Sequence, residues 1–178
     1  AARFTGQFPF AQVELKDPEM PLAAQVEGWS PFVPGDELAS GLPAAFLSYT
    51  LKNTTRRKQR VQFSFHAQYP RGREDLAGHT VAHRRDRGAA GLFMDSGLPA
   101  RDPEQTTVAV VSPRPGQKAD CAWFRGGWWD PVTIAWQRAE AGELRDHGAY
   151  EEGGPSPGGS LYVPITVPAG GEVTVRVL

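Results

Sequence analysis

The chain predicts an all-β, antiparallel fold with long loops and little helix, and three observations carry that expectation. From Phe8 to Asn53 apolar and polar residues alternate, break at Pro/Gly turns, and alternate again. Side chains on a strand point to opposite faces with a period of two, so a half-buried strand alternates in this way. Val61 to Tyr69 (VQFSFHAQY) then alternates without a fault over nine positions. Finally, the 178 residues include 20 Gly and 16 Pro alongside five Trp, nine Phe and four Tyr. High Gly and Pro with few aromatics would suggest disorder; here the aromatics supply apolar surface worth ~25 cal/mol per Å² buried, enough to offset chain entropy.

Taken in order, strands are expected at about 10–15, 22–29, 45–52, 60–68, 91–93, 106–111, 132–136, 160–167 and 173–178. Trp29 ends the second of these, Pro31 stops its pairing, and Pro34-Gly35-Asp36 reads as a turn. Asn53 to Lys58 reads as a hairpin loop joining the third and fourth strands, and Pro168-Ala-Gly-Gly171 as another joining the last two. On the fourth strand Val61, Phe63, Phe65 and Ala67 face the core and leave Gln62, Ser64 and His66 on the other side. Two loops are long: Tyr69 to Ala90, rich in Arg, Gly and His, and Arg145 to Gly159, which carries EEGGPSPGG. Residues 135–144 (AWQRAEAGEL) fit either a short helix or a strand followed by a turn. The strands are short and need one another for a core, so residues 1–178 read as a single domain.

The formal net charge of −1 gives no field that would favour nucleic acid or an anionic membrane. Arginines cluster at Arg56, Arg57 and Arg60 and again at Arg84, Arg85 and Arg87, in segments read as solvated turns or loops. Cys121 is the single cysteine, which excludes an intrachain disulfide and slightly favours a cytoplasmic setting; beside Trp123 and Phe124 it reads as a half-buried core thiol. No stretch of about 20 apolar residues exists to cross a membrane as a helix, and no signal peptide opens the chain. It begins at Ala1 and stops in the strand-like GGEVTVRVL, which reads as a processed product, a tag remnant or a piece of something longer.

No reaction can be assigned from residue pattern alone. His79 and His83 have the i, i+4 spacing of a helical metal pair, yet they lie in the Gly/Arg-rich loop with no obvious third ligand, so no metal and no cofactor is expected. No nucleophile elbow or phosphate loop is present. Glycosidic cleavage uses two carboxylates flanking the bond, but pairs such as Asp36-Glu37 or Glu151-Glu152 are adjacent loop residues and nothing singles out two, so no catalytic residue is expected. The strongest site-like feature is aromatic: Trp123 to Pro131 (WFRGGWWDP), followed by Trp136. Aromatic faces stack on sugar rings and Arg or Asp beside them can bond hydroxyls, so Trp128, Trp129, Asp130 and Arg125 are the candidate substrate-binding or interdomain residues. The competing reading packs these rings between sheets or against another domain. Trp128 and Trp129 are neighbours, and on a strand one would be core and the other exposed.

The opening block FPFAQVELKDPEMPLAAQVEGWSPFVPGDELASGLPAAFLSYTLKN, the FRGGWWDPVTIAW stretch and the closing GGSLYVPITVPAGGEVTVRVL resemble the N-terminal domain of the bile-acid β-glucosidase, or non-lysosomal glucosylceramidase, family (glycoside hydrolase family 116). The middle, Tyr69 to Arg101, departs most. The resemblance implies a β-sandwich and favours strand over helix at 135–144. It further implies a partner: a separate helical catalytic domain of the same polypeptide, which carries both catalytic carboxylates. This chain would then be its non-catalytic support. A stand-alone carbohydrate-binding sandwich is the alternative.

Overall fold

A computed structural model describes residues 1–69, 78–128, 130–152 and 154–178. Eleven strands and two helices follow one another as β1 (Ala2–Gln7), β2 (Phe10–Leu15), β3 (Leu22–Trp29), α1 (Glu37–Ser40), β4 (Phe46–Asn53), β5 (Gln59–Gln68), β6 (Thr80–Asp86), β7 (Ala89–Asp95), β8 (Thr107–Ser112), β9 (Lys118–Asp120), α2 (Pro131–Glu140), β10 (Gly158–Val167) and β11 (Glu172–Val177). The chain is all-β, with three antiparallel sheets and little helix, as its alternation predicts. It divides into two compact units, residues 1–61 with 164–178 and residues 62–163; the boundaries fall inside β5 and β10.

Unit 1 is built on a five-stranded sheet of order β1-β2-β3-β4-β11. Register places Phe4, Val13, Val26, Tyr49 and Val175 in one row across all five strands, and Ala2, Leu15, Ala24, Leu51 and Val173 in the next. Residues directly opposite share a face, so this face is apolar throughout. The other face carries Arg3, Glu14, Gln25, Thr50 and Thr174, then Thr5, Gln12, Glu27, Ser48 and Arg176. The β2–β3 turn is set by Asp17, whose carboxylate accepts from the Glu19 amide at 3.0 Å. Asn53 anchors the same end of the sheet, opposite Leu22: its amide donates to the Arg57 and Pro168 carbonyls at 2.7 and 2.9 Å, and its oxygen accepts from the Thr55 amide at 2.9 Å.

Unit 2 contains a second sheet, β6-β7-β8, and strand β9 paired with β10; the third sheet has the order β5-β10-β9. Its core gathers Leu92 and Met94 from β7, Leu161 and Val163 from β10, and Trp123, all at most 2% exposed. Gly91 has no room for a side chain, since a Cβ there would run into the Val110 carbonyl on β8.

Several expectations are corrected. Neither predicted hairpin exists: β4 and β5 lie in different sheets, as do β10 and β11, and β11 pairs with β4 instead. Residues 132–136 are helix, not strand. Asp130 accepts from the Thr133 amide at 2.8 Å and Pro131 occupies the first turn, so an N-cap and a preset φ start α2 despite its β-branched residues. The 69–90 segment holds β6, so Arg84 and Arg85 sit on a strand rather than in a loop, as does Arg60 on β5. An edge strand tolerates such charge because one side of it faces water. The β6–β7 turn is the two residues Arg87 and Gly88 with φ of 46° and 85°, the left-handed pair a tight hairpin needs. Residues 70–77 of that segment lie outside the described residues. His66, expected on the side of β5 away from the core, is half-buried, so both faces of β5 are covered there.

Candidate functional site

The Trp-rich block divides by position. Trp123 is 2% exposed and its indole N–H donates to Ser160 Oγ at 2.8 Å, while its amide donates to Ser156 Oγ at 2.9 Å. His66 completes this cluster: Nδ1 lies 2.8 Å from Ser160 Oγ and Nε2 3.0 Å from Ser64 Oγ. Burial lowers the His66 pKa, and the nearby Asp120 carboxylate opposes that shift. Gly158 fits beneath because a Cβ there would meet Trp123 and the β5 backbone. Gly158 and Gly159 of the EEGGPSPGG stretch therefore serve close packing, whereas a Cβ at Gly154 would meet open space.

Trp128, five residues on, is 78% exposed and touches the edge of Phe124 with ring centroids 5.6 Å apart. It lies in a turn, so the strand rule of opposite faces does not govern it. Trp129 lies outside the described residues. Arg125 is committed locally: its guanidinium lies 3.6 Å from the centroid of the Tyr150 ring and donates to the Glu152 and Gly154 carbonyls. The Tyr150 hydroxyl in turn donates to Trp123 O at 2.8 Å. Asp130 caps α2. Arg125 and Asp130 thus brace the turn that holds Trp128 in water. Val132 and Trp136, one helical turn apart on α2, are 41% and 65% exposed.

Among the described residues of unit 2, no other group assembles into a reactive centre. Cys121 is buried beyond the half-burial expected, and burial, with Asp120 adding to it, pushes its thiol up to about 11. His79 and His83 occupy extended chain: His79 is buried against Tyr69 with ring centroids 4.4 Å apart, and its Nε2 bonds Ser156 O, whereas His83 is exposed. Among the described residues no three His, Cys, Asp or Glu side chains converge as a metal site would require. Asp120 is 1% exposed and is occupied by Arg145 at 3.6 Å and by the Ala122 amide at 3.0 Å. Among the described residues, no helix is long and apolar enough to cross a membrane.

Unit 1 presents a surface that alternation alone did not single out. Phe4, Phe8 and Leu38 are 70%, 77% and 86% exposed, and Phe10, Leu15, Met20 and Phe32 are about half exposed. Phe8 and Phe32 meet edge-on at 4.9 Å, and Trp29 stacks on Phe46 at 4.2 Å with Phe10 beside it. Register places Phe4 and Leu15 on one face of the sheet and Phe10, Trp29 and Phe46 on the other, so the exposed apolar residues divide between the two faces. The signal was available: the apolar row becomes visible once the strands are paired in register.

No curated protein matches the chain. Over residues 1–178 the sequence matches the family described as beta-glucosidase 2, glycosyl-hydrolase family 116 N-term, and the chain belongs to that N-terminal-domain family.

Proposed function

We propose that this chain is the non-catalytic N-terminal part of a retaining β-glucosidase or glucosylceramidase-like glycoside hydrolase, and that it packs on and supports a separate helical catalytic domain. The observation that carries this reading is the large apolar surface left in water on unit 1, at Phe4, Phe8 and Leu38. Such surface is what a domain shows when its partner is absent. Family membership as an N-terminal domain supports the existence of that partner. Both carboxylates of the retaining mechanism, the nucleophile and the acid/base, then belong to the downstream domain.

Assay of β-glucoside hydrolysis tests this. The full polypeptide turns substrate over and the isolated 178-residue chain does not. Turnover by the isolated chain that disappears on mutation of one of its own carboxylates refutes the reading.

A second reading rests on Trp128. Its ring is exposed yet braced, which suits stacking on a pyranose and favours a carbohydrate-binding role. It requires saturable oligosaccharide binding, followed by Trp fluorescence, that Trp128→Ala abolishes while the fold persists.

A further inference from the structure

Within unit 1 the apolar face of the sheet loses cover steadily from one edge to the other. Along the row Val175, Tyr49, Val26, Val13, Phe4, exposure runs from 0% at Val175 through partial burial on β4, β3 and β2 to 70% at Phe4. The parallel row ends at Leu15, 44% exposed, and at Ala2. The opposite face is polar over its central rows, where the Thr50 and Thr174 hydroxyls bond each other at 2.9 Å, and carries Phe10, Trp29 and Phe46 in a row at one end. An antiparallel sheet with one polar and one apolar face is solvated on the first and covered on the second. Here the cover fails at the β1 edge and at Leu15. Where it stops, Ala2, Leu15, Met20, Leu22 and Ala24 line a groove of about 450 Å³, with Lys16 and Asp17 at its margin.

We infer that the open edge of this face, the exposed Phe4 and Leu15 with the partly buried Val13 and Val26 beside them and the groove, is the seat of the downstream domain, and that a helix of that domain lies across it with an apolar side chain in the groove. This rests on the proposed function, and it chooses unit 1 over the Trp128–Trp136 surface as the docking face. Two observations favour the same polypeptide as occupant. The chain's family is defined as the N-terminal portion of a longer enzyme. The exposed rows are also continuous, strand by strand, with rows already buried at β11, so the missing cover extends an existing core. A helix suits the place because helix on sheet is a standard layer pairing, and the groove of about 450 Å³ has room for an apolar side chain.

Thermal unfolding of the full polypeptide tests the assignment with two double variants, Phe4→Ser/Leu15→Ser and Trp128→Ala/Trp136→Ala, each also made in the isolated chain. The first pair should lower the full polypeptide's midpoint by at least ~4 °C, or split one transition into two, while leaving the isolated chain's midpoint in place. The Trp pair should do neither. If the Trp pair carries the loss and Phe4→Ser/Leu15→Ser does not, the face is wrongly assigned although the domains do pack. If neither pair acts and the two parts unfold independently in the wild type, domain packing itself fails. If the isolated chain forms a dimer that Phe4→Ser/Leu15→Ser dissociates, with no effect on the full polypeptide, the face belongs to a second copy.

Discussion

The two units differ in how they use their aromatic residues. Unit 2 encloses Trp123 at 2% exposure, ties its indole to Ser160, and presents Trp128 and Trp136 on a braced turn and a capped helix. Unit 1 leaves Phe4 at 70% on the β1 edge of a sheet face whose β11 edge holds Val175 and Val177 at 0% and 2%. One unit is finished around its largest side chain; the other has a face that fades into solvent. The same residue class thus lies in a completed core in one region and on an exposed edge in the other.

The largest test of that contrast compares Trp123→Ala with Phe4→Ala in the isolated chain. Trp123→Ala removes a buried ring and leaves Ser160 without its donor, and should cost ~3–5 kcal/mol in a denaturant titration. Phe4→Ala should stay within ~0.5 kcal/mol. Equal losses would mean that unit 1 is already complete. Next comes Asn53, the buried polar anchor of unit 1. Its replacement by Ala strands the Arg57 and Pro168 carbonyls and should cost ~1–3 kcal/mol by the same titration, showing that unit 1 is well built away from its open face.

Smaller effects concern unit 2. Asp130→Ala removes the cap of α2 and should cost ~1 kcal/mol, whereas Asp130→Asn should restore most of it; a ligand-contact role for Asp130 would instead show as lost binding with unchanged stability. The mildest is pH. Burial holds His66 below its usual 6.5 in the folded state, so the unfolded chain binds the proton first as pH falls. Its contribution is therefore fully present above pH 6.5 and is lost as pH drops through the lower folded value. Following the unfolding midpoint from pH 8 to pH 5 should show that decline, and His66→Gln should flatten it.

Much of the fold was legible because alternation reports one-sided burial directly. β2 and β3 fall where the pattern places them, and β4, β5, β10 and β11 differ by a residue or two at their ends. What failed has physical reasons. β1 (ARFTGQ) is exposed along its whole length and carries no burial signal. β6 is a charged edge, and β9 is three residues long. The mistaken hairpins joined chain neighbours across short turns, yet β11 crosses to pair with β4, a choice made by packing rather than by turn chemistry. At α2, Val132, Thr133 and Ile134 speak for strand, and the Asp130-Pro131 start signal outweighs them. At the candidate site, the residue types near Trp128 were visible but their tasks were not. Arg125 bonds two carbonyls 27 and 29 residues away, a partnership that no local pattern encodes.

Amide hydrogen exchange, measured on the isolated chain and on the full polypeptide, tests the central claim most directly. Docking on the open face of unit 1 predicts new protection along β1, β2 and β3 and at the β2–β3 turn, with residues 124–128 and α2 unchanged. Protection confined to residues 124–128 and α2, or none at all, would contradict it.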